Sequence, residues 1–468
     1  MAAIDGTVVG IALPTIGREW HASLASLQWV VSGYVLTLAA LLILGGSLGD
    51  LYGRRKLFVI GVVWFAAASA ACALAPDIQI LVATRVLQGI GGALLVPGSL
   101  AILQATFDDE DRGRAIGMWS GLGGLATAAG PLVGGILIMA ASWRWIFLIN
   151  LPLGIAVLIV SLRRIPESRD MSATGHLDSL GAVLAVSTLA GVTFGLIEGP
   201  ELGWRNGWVI SMLFLGVLSA IAFVLTERAS AAPMLPMTLF RLRNFTVTNL
   251  VTFIVYGALG GGLFLLPIQL QVSDGYSPVE AGLVLLPLTA LMLFLSPLSG
   301  RLSTRYGPRA QMSLGPPVVG IGLVLLAQIG GNGSYGTRVL PAVLIFGLGL
   351  AITVTPLTAT ALSSVPDEHA GLASAVNNSV ARLGGLIAVA VLPACAGITG
   401  MTYQDPSALS SGFRTALELA GILCFGAGAI AAAGIRNPSR PAAPDQEPDH
   451  KVSCSYCALD ATPLVHES

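Results

Sequence analysis

The chain has 468 residues, of which 54% are hydrophobic and 10% are charged, and its formal net charge is -1. An ordinary soluble domain carries about 25% charged residues, so this chain lacks the charged surface on which water-soluble folds depend. The small net charge also excludes the basic surface of a nucleic-acid-binding protein, and we expect no nucleic-acid partner. The composition is that of a protein embedded in a lipid bilayer.

Long apolar segments follow one another along the chain. A membrane-spanning helix needs roughly 20 mostly apolar residues, and about fourteen segments of this sequence meet that requirement. The sequence therefore predicts an all-α polytopic membrane protein. The predicted spans are residues 2–17, 28–49, 57–75, 78–103, 114–139, 145–162, 178–198, 208–226, 246–271, 278–299, 311–329, 339–362, 371–397 and 413–434.

The basic residues of the loops predict that both termini lie in the cytoplasm. Of the 24 Lys and Arg residues, Arg85 and Arg382 lie within spans, and most of the others lie in loops that this orientation makes cytoplasmic. Arg382 either faces an internal cavity or reaches the cytoplasmic surface, and we expect the second. The basic residues predicted outside are Arg18, Arg144, Arg205, Arg338 and Arg414.

Two sequence patterns occur near the start of the chain and again eight spans later. This interval matches spans 1–6 to spans 9–14 and leaves spans 7–8 as an inserted hairpin, in the manner of transporters built from two like halves. We predict an N-terminal six-helix half at 1–165, the hairpin with its linkers at 166–244, a C-terminal six-helix half at 245–435 and a disordered cytoplasmic tail at 436–468. The patterns are GxLxxxYGxR at 46–55 and 300–309, and DExxGxA at 109–115 and 367–373.

Cys454 and Cys457 form a C-x-x-C pattern in the polar tail, with His450 and His466 nearby. A structural zinc site needs four such ligands on a folded loop, whereas this tail has the composition of a disordered segment. We therefore expect no metal site. The sequence also lacks the G-x-x-x-x-G-K-[ST] loop of nucleotide-driven proteins, so we expect neither an ATP site nor a cofactor.

Asp5 and Arg85 are the ionisable residues that lie deepest in the predicted spans. Asp5 precedes Pro14 by nine residues and Arg85 follows Pro76 by nine, about 13 Å along a helix in each case. An ionisable group in a membrane interior costs on the order of 3 kcal/mol and usually lines a pathway or pairs with another group. Only four residues precede Asp5, so span 1 lacks roughly its cytoplasmic half, and we expect either a start upstream of Met1 or a truncated gene.

Several motifs resemble those of the major facilitator superfamily. GSLGDLYGRRK at 46–56 resembles the superfamily's signature loop, and LxxxRxxQGxGGA at 81–93 its fourth-span motif. The small residues of span 5 resemble the motif that marks antiporters, with Ala126 where a glycine is usual. DGTVVGIALP at 5–14, WRWIFLINLP at 143–152 and GYSP at 275–278 are similar to motifs of the fourteen-span drug:proton antiporters, the branch of multidrug and antibiotic exporters.

The resemblance implies a proton-coupled exporter of drugs or antibiotics in the bacterial cytoplasmic membrane, working by alternating access. It implies that the protein is not an enzyme and that a proton gradient is its energy source. The expected partners are the lipid bilayer, protons and a lipophilic substrate, and we expect a monomer. Because the predicted interior is poor in acids, we expect neutral or weakly charged substrates. A nutrient importer or symporter with the same fold is the alternative.

The resemblance also implies roles for individual residues. Asp5 would take the proton and Arg85 would tune it, and a static ion pair between spans 1 and 4 is the alternative. Asp50, Gly53, Arg54 and Arg55 would form a cytoplasmic latch, or serve only as a topology signal. Gly130, Pro131, Gly134 and Gly135 would form the hinge of the antiporter motif, or only pack helices closely. The predicted substrate-cavity residues are Gln28, Tyr34, Gln88, Asn150, Gln269, Asn377 and Asn378.

Overall fold

A computed structural model describes residues 1–169, 178–230, 235–329, 335–366 and 370–437. Every regular element among these residues is a helix. The α-helices are α1 (Ala2–Trp20), α2 (Leu24–Tyr52), α3 (Arg54–Ala73), α4 (Ile78–Thr106), α5 (Asp109–Ala140), α6 (Trp145–Leu148), α7 (Asn150–Arg164), α8 (Ser179–Leu202), α9 (Gly207–Ala229), α10 (Arg243–Val272), α11 (Pro278–Val284), α12 (Leu286–Tyr306), α13 (Pro308–Leu326), α14 (Leu340–Ser363), α15 (Ala370–Cys395) and α16 (Pro406–Gly434).

The predicted all-helical membrane fold is confirmed. Within the described residues, 13 helical segments are long and apolar enough to cross a membrane. The first predicted span corresponds to α1, which has 19 residues and packs against α5 and α10. Two predicted spans are each formed by two consecutive helices, α6 with α7 and α11 with α12. Cys454, Cys457 and the rest of the predicted tail beyond residue 437 lie outside the described residues.

Most helix packing occurs within two groups of helices. Among α1–α7, the helices α2 and α3 pack against α4, and α1 packs against α5. Among α10–α16, the helices α13 and α10 each pack against α16, with α14 and α15 as their other main neighbours. The hairpin of α8 and α9 contacts both groups, through α2 and α15. We refer to α1–α7 as the N-half and to α10–α16 as the C-half.

The two copies of the GxLxxxYGxR pattern adopt the same local structure. Each ends a helix at a glycine with positive φ, 111° at Gly53 and 84° at Gly307, a conformation that other residues rarely adopt. A side chain that follows the last helix of the same half then accepts a main-chain N–H of the next helix. Glu167 does this for Arg55 at 3.0 Å and for Lys56 at 3.1 Å. The C-half equivalent is Asn437, which accepts the Arg309 N–H at 3.0 Å.

Replacing Glu167 by Ala is expected to lower stability by about 1–2 kcal/mol, because two N–H groups at the start of α3 lose their acceptor. The measurement is the temperature at which the purified, detergent-solubilised protein loses its monodisperse state. Glu418→Ala is the matched control, since Glu418 pairs with Arg414 on an exposed helix face. Equal stability of the two variants would contradict the capping role of Glu167.

The hydrogen bonds that join the two halves lie at one end of the bundle. We call it the turn end, because it holds the turn between α1 and α2, and we call the end with the two capped glycines the loop end. At the turn end, the Tyr403 hydroxyl donates to the Ala22 carbonyl at 2.8 Å, and the Leu24 N–H donates to the Gly400 carbonyl at 2.9 Å. Among the described residues, no hydrogen bond joins the halves at the loop end, so this conformation is closed at the turn end.

Candidate transport site between the two halves

Asp5 and Arg85 form an ion pair inside the N-half. The Asp5 Oδ2 and Arg85 Nη1 atoms are 2.5 Å apart, and the side chains are 0% and 1% exposed. The pair joins α1 to α4. Removing one member of a buried ion pair leaves an uncompensated charge, so the loss of either residue would destabilise the protein. This geometry suits both a proton-binding carboxylate and a static pair.

Three further polar side chains complete this buried group. The second carboxylate oxygen of Asp5, Oδ1, accepts hydrogen bonds from Gln88 Nε2 at 2.8 Å and Asn150 Nδ2 at 3.1 Å. Both amides also donate to Ser69 Oγ, at 3.2 and 3.0 Å, and Ser69 donates to the Phe147 carbonyl at 3.0 Å. We call this group the Asp5 cluster, which consists of Asp5, Ser69, Arg85, Gln88 and Asn150.

Arg85 has partners beyond Asp5. Its Nε donates to the Val30 carbonyl at 3.0 Å, and its Nη1 donates to Gln88 Oε1 at 2.7 Å. The guanidinium carbon lies 4.4 Å from the centre of the Tyr34 ring, within the range of a cation–π contact. The charge of Arg85 is therefore compensated on several sides, and Asp5 is held as an acceptor of three hydrogen bonds.

Ser69→Ala is expected to destabilise the protein by about 1–3 kcal/mol, because it leaves the buried Phe147 carbonyl and two amide N–H groups short of partners. Thermal unfolding in detergent measures the effect. Ser47→Ala is the control, since the Ser47 hydroxyl donates only to the Ile43 carbonyl of its own helix. A Ser69→Ala variant that unfolds together with Ser47→Ala would show that Ser69 does not support the cluster.

Two adjoining cavities lie between the halves. The central cavity, of about 350 Å³, is lined by residues of α1, α2, α5, α10 and α15. The second, the loop-end cavity, has a volume of about 800 Å³ and is lined mainly by the N-half. Both are lined by Gly6 and Thr7, which follow Asp5 in α1. The carboxylate itself is fully buried within the Asp5 cluster and does not line either cavity.

Arg382 lines both cavities, and the expectation that it reaches the cytoplasmic surface is wrong. It lies 12 residues after the first residue of α15, about 18 Å along that helix. Its Nε is buried and has no hydrogen-bond partner among the described residues. The depth of the residue, rather than the length of its side chain, therefore decides its environment.

Tyr34 is the member of the predicted cavity set that lines one of these two cavities, the loop-end cavity. Gln88 and Asn150 are fully buried in the Asp5 cluster instead, so the prediction that they line the substrate cavity is wrong for this conformation. A buried amide is stabilised by hydrogen bonds within the protein, and the cluster provides them. Asn378 is exposed on α15 and does not line either cavity.

The other amides of the predicted set connect helices, so they too depart from the predicted cavity position. Gln28 Nε2 donates to the Val389 carbonyl across the two halves at 2.6 Å. Gln269 Nε2 donates to Ser410 Oγ at 3.0 Å, which links α10 to α16. Asn377 donates to two polar side chains of α10, at 2.8 and 3.2 Å. Interhelical hydrogen bonding, the general role of such residues in membranes, accounts for all three.

Two glycines of the antiporter motif let α5 approach α1. A Cβ atom on Gly130 would overlap Thr7 Oγ1, and one on Gly134 would lie 2.5 Å from Val8 Cγ2. Thr7 also lines the central cavity, so α5 supports the part of α1 that holds both the cavity wall and Asp5. Small residues allow such close approach of helices in membranes.

The motif also forms a contact between the halves. A Cβ atom on Gly135 would lie 2.5 Å from the Pro278 carbonyl oxygen of α11, and one on Gly282 would lie 2.5 Å from the Pro131 carbonyl oxygen. The two main chains therefore touch, with no side chain between them. α5 remains a continuous helix through Pro131. The contact lies toward the turn end, where the halves are joined.

The predicted latch residues lie together at the loop end, and among the described residues they form no hydrogen bond or ion pair with the C-half. Arg54 forms an ion pair with Asp50 at 2.8 Å, both partly exposed. Arg55 Nη1 donates to the Ile165 carbonyl at 3.0 Å, and its Nε lies 3.8 Å from Glu167. The described residues therefore form no latch between the halves in this conformation, and the gating role of these residues stays a prediction.

Sequence reasoning did not identify Ser69 and Glu167 as functional residues. Ser69 lies in an apolar span among alanines, and nothing in that pattern distinguishes a buried hydrogen-bonding hydroxyl from an ordinary small residue. Glu167 lies in a linker after span 6. Its equivalence to Asn437 becomes visible only when the two halves are compared in space.

Comparison with known proteins identifies the family. The tetracenomycin C resistance and export protein of Streptomyces glaucescens is 37% identical over 392 residues, which cover 84% of this chain and 73% of that protein. The methylenomycin A resistance protein of Bacillus subtilis (strain 168) is 33% identical over 428 residues, which cover 91% of each chain.

A solved structure shares the fold. It is a bacterial homologue of the human lysosomal transporter Spinster, in an inward-facing and unoccupied conformation, and it matches with a TM-score of 0.65 at 17% identity over 92% of this chain and 93% of that one. The sequence model of the Major Facilitator Superfamily matches residues 1–389. The resemblance of the motifs is thereby confirmed, and the chain belongs to the Major Facilitator Superfamily as a multi-pass membrane transporter.

Proposed function

We propose that the protein exports lipophilic drugs or antibiotics across the bacterial cytoplasmic membrane in exchange for protons. The observation that carries the proposal is the position of Asp5 on α1. Its carboxylate is fully buried and paired with Arg85, and the two residues that follow it on α1, Gly6 and Thr7, line the central cavity. Motion of α1 therefore affects the carboxylate and the cavity together. The relatives named for antibiotic resistance and export support the class of substrate.

In this proposal the loop end faces the cytoplasm, and both termini lie there. The positive-inside rule supports this orientation, because basic residues are concentrated in the loops at that end. The conformation in which the halves are joined at the turn end is then the one that receives substrate from the cytoplasm. The basic residues that support the assignment include Arg54, Arg55, Lys56, Arg163, Arg164, Arg305 and Arg309.

Proton exchange at Asp5 would couple the entry of protons to the export of substrate. A proton bound to Asp5 removes the negative charge that Arg85 pairs with, so it weakens the contact between α1 and α4 and changes the relative stability of the two conformations. Substrate would leave on the outside, where a proton enters, and the return would deliver that proton to the cytoplasm. Asp50, Arg54 and Arg55 would stabilise the opposite conformation, in which the loop ends of the halves meet.

Everted membrane vesicles energised by respiration test the proposal. We expect them to accumulate members of a panel of lipophilic dyes and antibiotics that includes tetracenomycin C. An uncoupler should abolish the accumulation, and vesicles that lack the protein should show none. Accumulation that survives the uncoupler would refute proton coupling. Uptake of a sugar or an organic acid by intact cells, without export of any panel compound, would favour the nutrient importer instead.

A further inference from the structure

The central cavity contains a cation for which the described part of the chain provides no anion. The Arg382 Nε atom is buried without a hydrogen-bond partner, and Arg382 forms no ion pair with a described residue. No Asp or Glu lines either cavity among the described residues. A charged residue within a membrane span that has no counter-ion is unfavourable, and functional sites are where such groups persist.

Two hydroxyls beside the cavities are also without partners. Ser32 is 1% exposed and lines the central cavity, and Tyr34 is 2% exposed and lines the loop-end cavity. Neither hydroxyl oxygen has a hydrogen-bond partner among the described residues. Both residues belong to α2 of the N-half, whereas Arg382 belongs to α15 of the C-half. Arg382 therefore shares the central cavity with Ser32 and the loop-end cavity with Tyr34.

The Asp5 carboxylate does not serve as the missing anion. Its two oxygens already accept hydrogen bonds from Arg85, Gln88 and Asn150. Arg85 is the contrasting case, because its charge is compensated by Asp5 and by other partners within the N-half. The two intramembrane arginines thus differ in whether a described residue supplies a counter-charge.

We propose that Arg382 binds an acidic group of the exported substrate in the central cavity, such as a carboxylate, an enolate or a phenolate, with the Ser32 hydroxyl as a further donor. A guanidinium and a hydroxyl are suited to an anionic oxygen, and the largely apolar lining is suited to the rest of a lipophilic molecule. The inference rests on the proposed export function and narrows its substrates to lipophilic weak acids. It narrows the expectation of neutral or weakly charged substrates to the weakly acidic ones.

A charge effect is consistent with this choice. Export of a monoanion against one entering proton moves two charges inward, whereas export of a neutral molecule moves one. The membrane potential, which is negative inside, then acts on both movements in the same direction. Export of an acidic substrate therefore depends more steeply on the membrane potential than export of a neutral substrate of the same size.

The test compares an acid with its neutral ester. Purified protein in lipid nanodiscs is titrated with anthracene-9-carboxylate and with its methyl ester, with binding followed by the fluorescence of the probe. We expect the wild type to bind the acid at least about tenfold more tightly than the ester, as expected for a charge-assisted hydrogen bond in a low-dielectric site. Arg382→Gln should remove this preference by weakening the binding of the acid at least about tenfold, and Arg382→Lys should keep part of it.

Arg414→Gln is the matched control, since Arg414 is exposed and pairs with Glu418; it should behave as the wild type does. Equal affinity of the wild type for acid and ester, including failure to bind either, would overturn the proposal. Loss of ester binding together with acid binding in Arg382→Gln would also overturn it, because the arginine would then support the fold. Binding needs no proton gradient, so a preference for the acid without export would separate this inference from the proposed function.

Discussion

Replacing Asp5 by Asn is expected to abolish proton-driven export while the protein still folds and binds substrate. Asn has nearly the shape of Asp and can accept hydrogen bonds from Gln88 and Asn150, but it cannot exchange a proton. One charge entering across 100 mV is worth about 2.3 kcal/mol, which sustains a gradient of roughly fifty-fold for a neutral solute. In everted vesicles at that potential, the accumulation ratio should fall from about fifty to about one.

The Asp5→Asn variant leaves Arg85 without its counter-ion, and breaking a buried ion pair in this way costs about 3–5 kcal/mol. A second variant, Asp5→Asn with Arg85→Gln, removes both charges. We expect it to be more stable than the single variant and equally uncoupled. Glu418→Gln, which affects an exposed ion pair, serves as the control. Accumulation at the wild-type level in either cluster variant, at equal protein amounts, would refute the role of Asp5.

Replacing Gly135 by Ala is expected to open the turn end. A Cβ atom at this position would lie 2.5 Å from the Pro278 carbonyl oxygen and 2.7 Å from Val279 Cα, which are main-chain atoms that cannot rotate away. Relief of the overlap requires α5 and α11 to separate. A difference of only about 1.4 kcal/mol shifts a two-state population tenfold, so the conformation joined at the turn end should become the minor one.

Labelling from outside the cell measures this shift. Leu285 lines the central cavity and is 6% exposed, so Leu285→Cys in a background without native cysteines reports access from the turn end. An impermeant thiol reagent should label this cysteine about tenfold faster in the Gly135→Ala background. Gly124→Ala is the control, because nothing lies within 4 Å of a Cβ atom there on the same helix. Unchanged labelling with Gly135→Ala would show that the contact does not hold the halves closed.

The helices of the fold were predictable from hydropathy alone, because a bilayer imposes a length and a composition on every span. The boundaries of the helices were less predictable. The second predicted span, 28–49, is part of a helix that runs over Leu24–Tyr52, since helices continue into the polar region on either side. The division of two spans into consecutive helices also left no signal in the apolar pattern.

The candidate site was predictable in part. Asp5 and Arg85 were identified because charged residues are rare in spans, and their similar depth followed from counting residues to the nearest turn. The positions of Gln88 and Asn150 were not predictable in the same way. When nearly every residue of a helix is apolar, periodicity does not distinguish the face toward a cavity from the face toward a neighbouring helix. Arg382 was misassigned because the residue pattern indicates its depth within the span but not that a cavity lies at that depth.

The measurement that tests the central claim most directly follows substrate and protons together. The purified protein is reconstituted in liposomes that contain a pH-sensitive dye, and transport of a fluorescent substrate from the vesicle panel is recorded in the same sample. We predict that substrate and protons move in opposite directions, and that Asp5→Asn abolishes the substrate-dependent proton movement. Substrate movement without protons, or in the same direction as protons, would contradict the account.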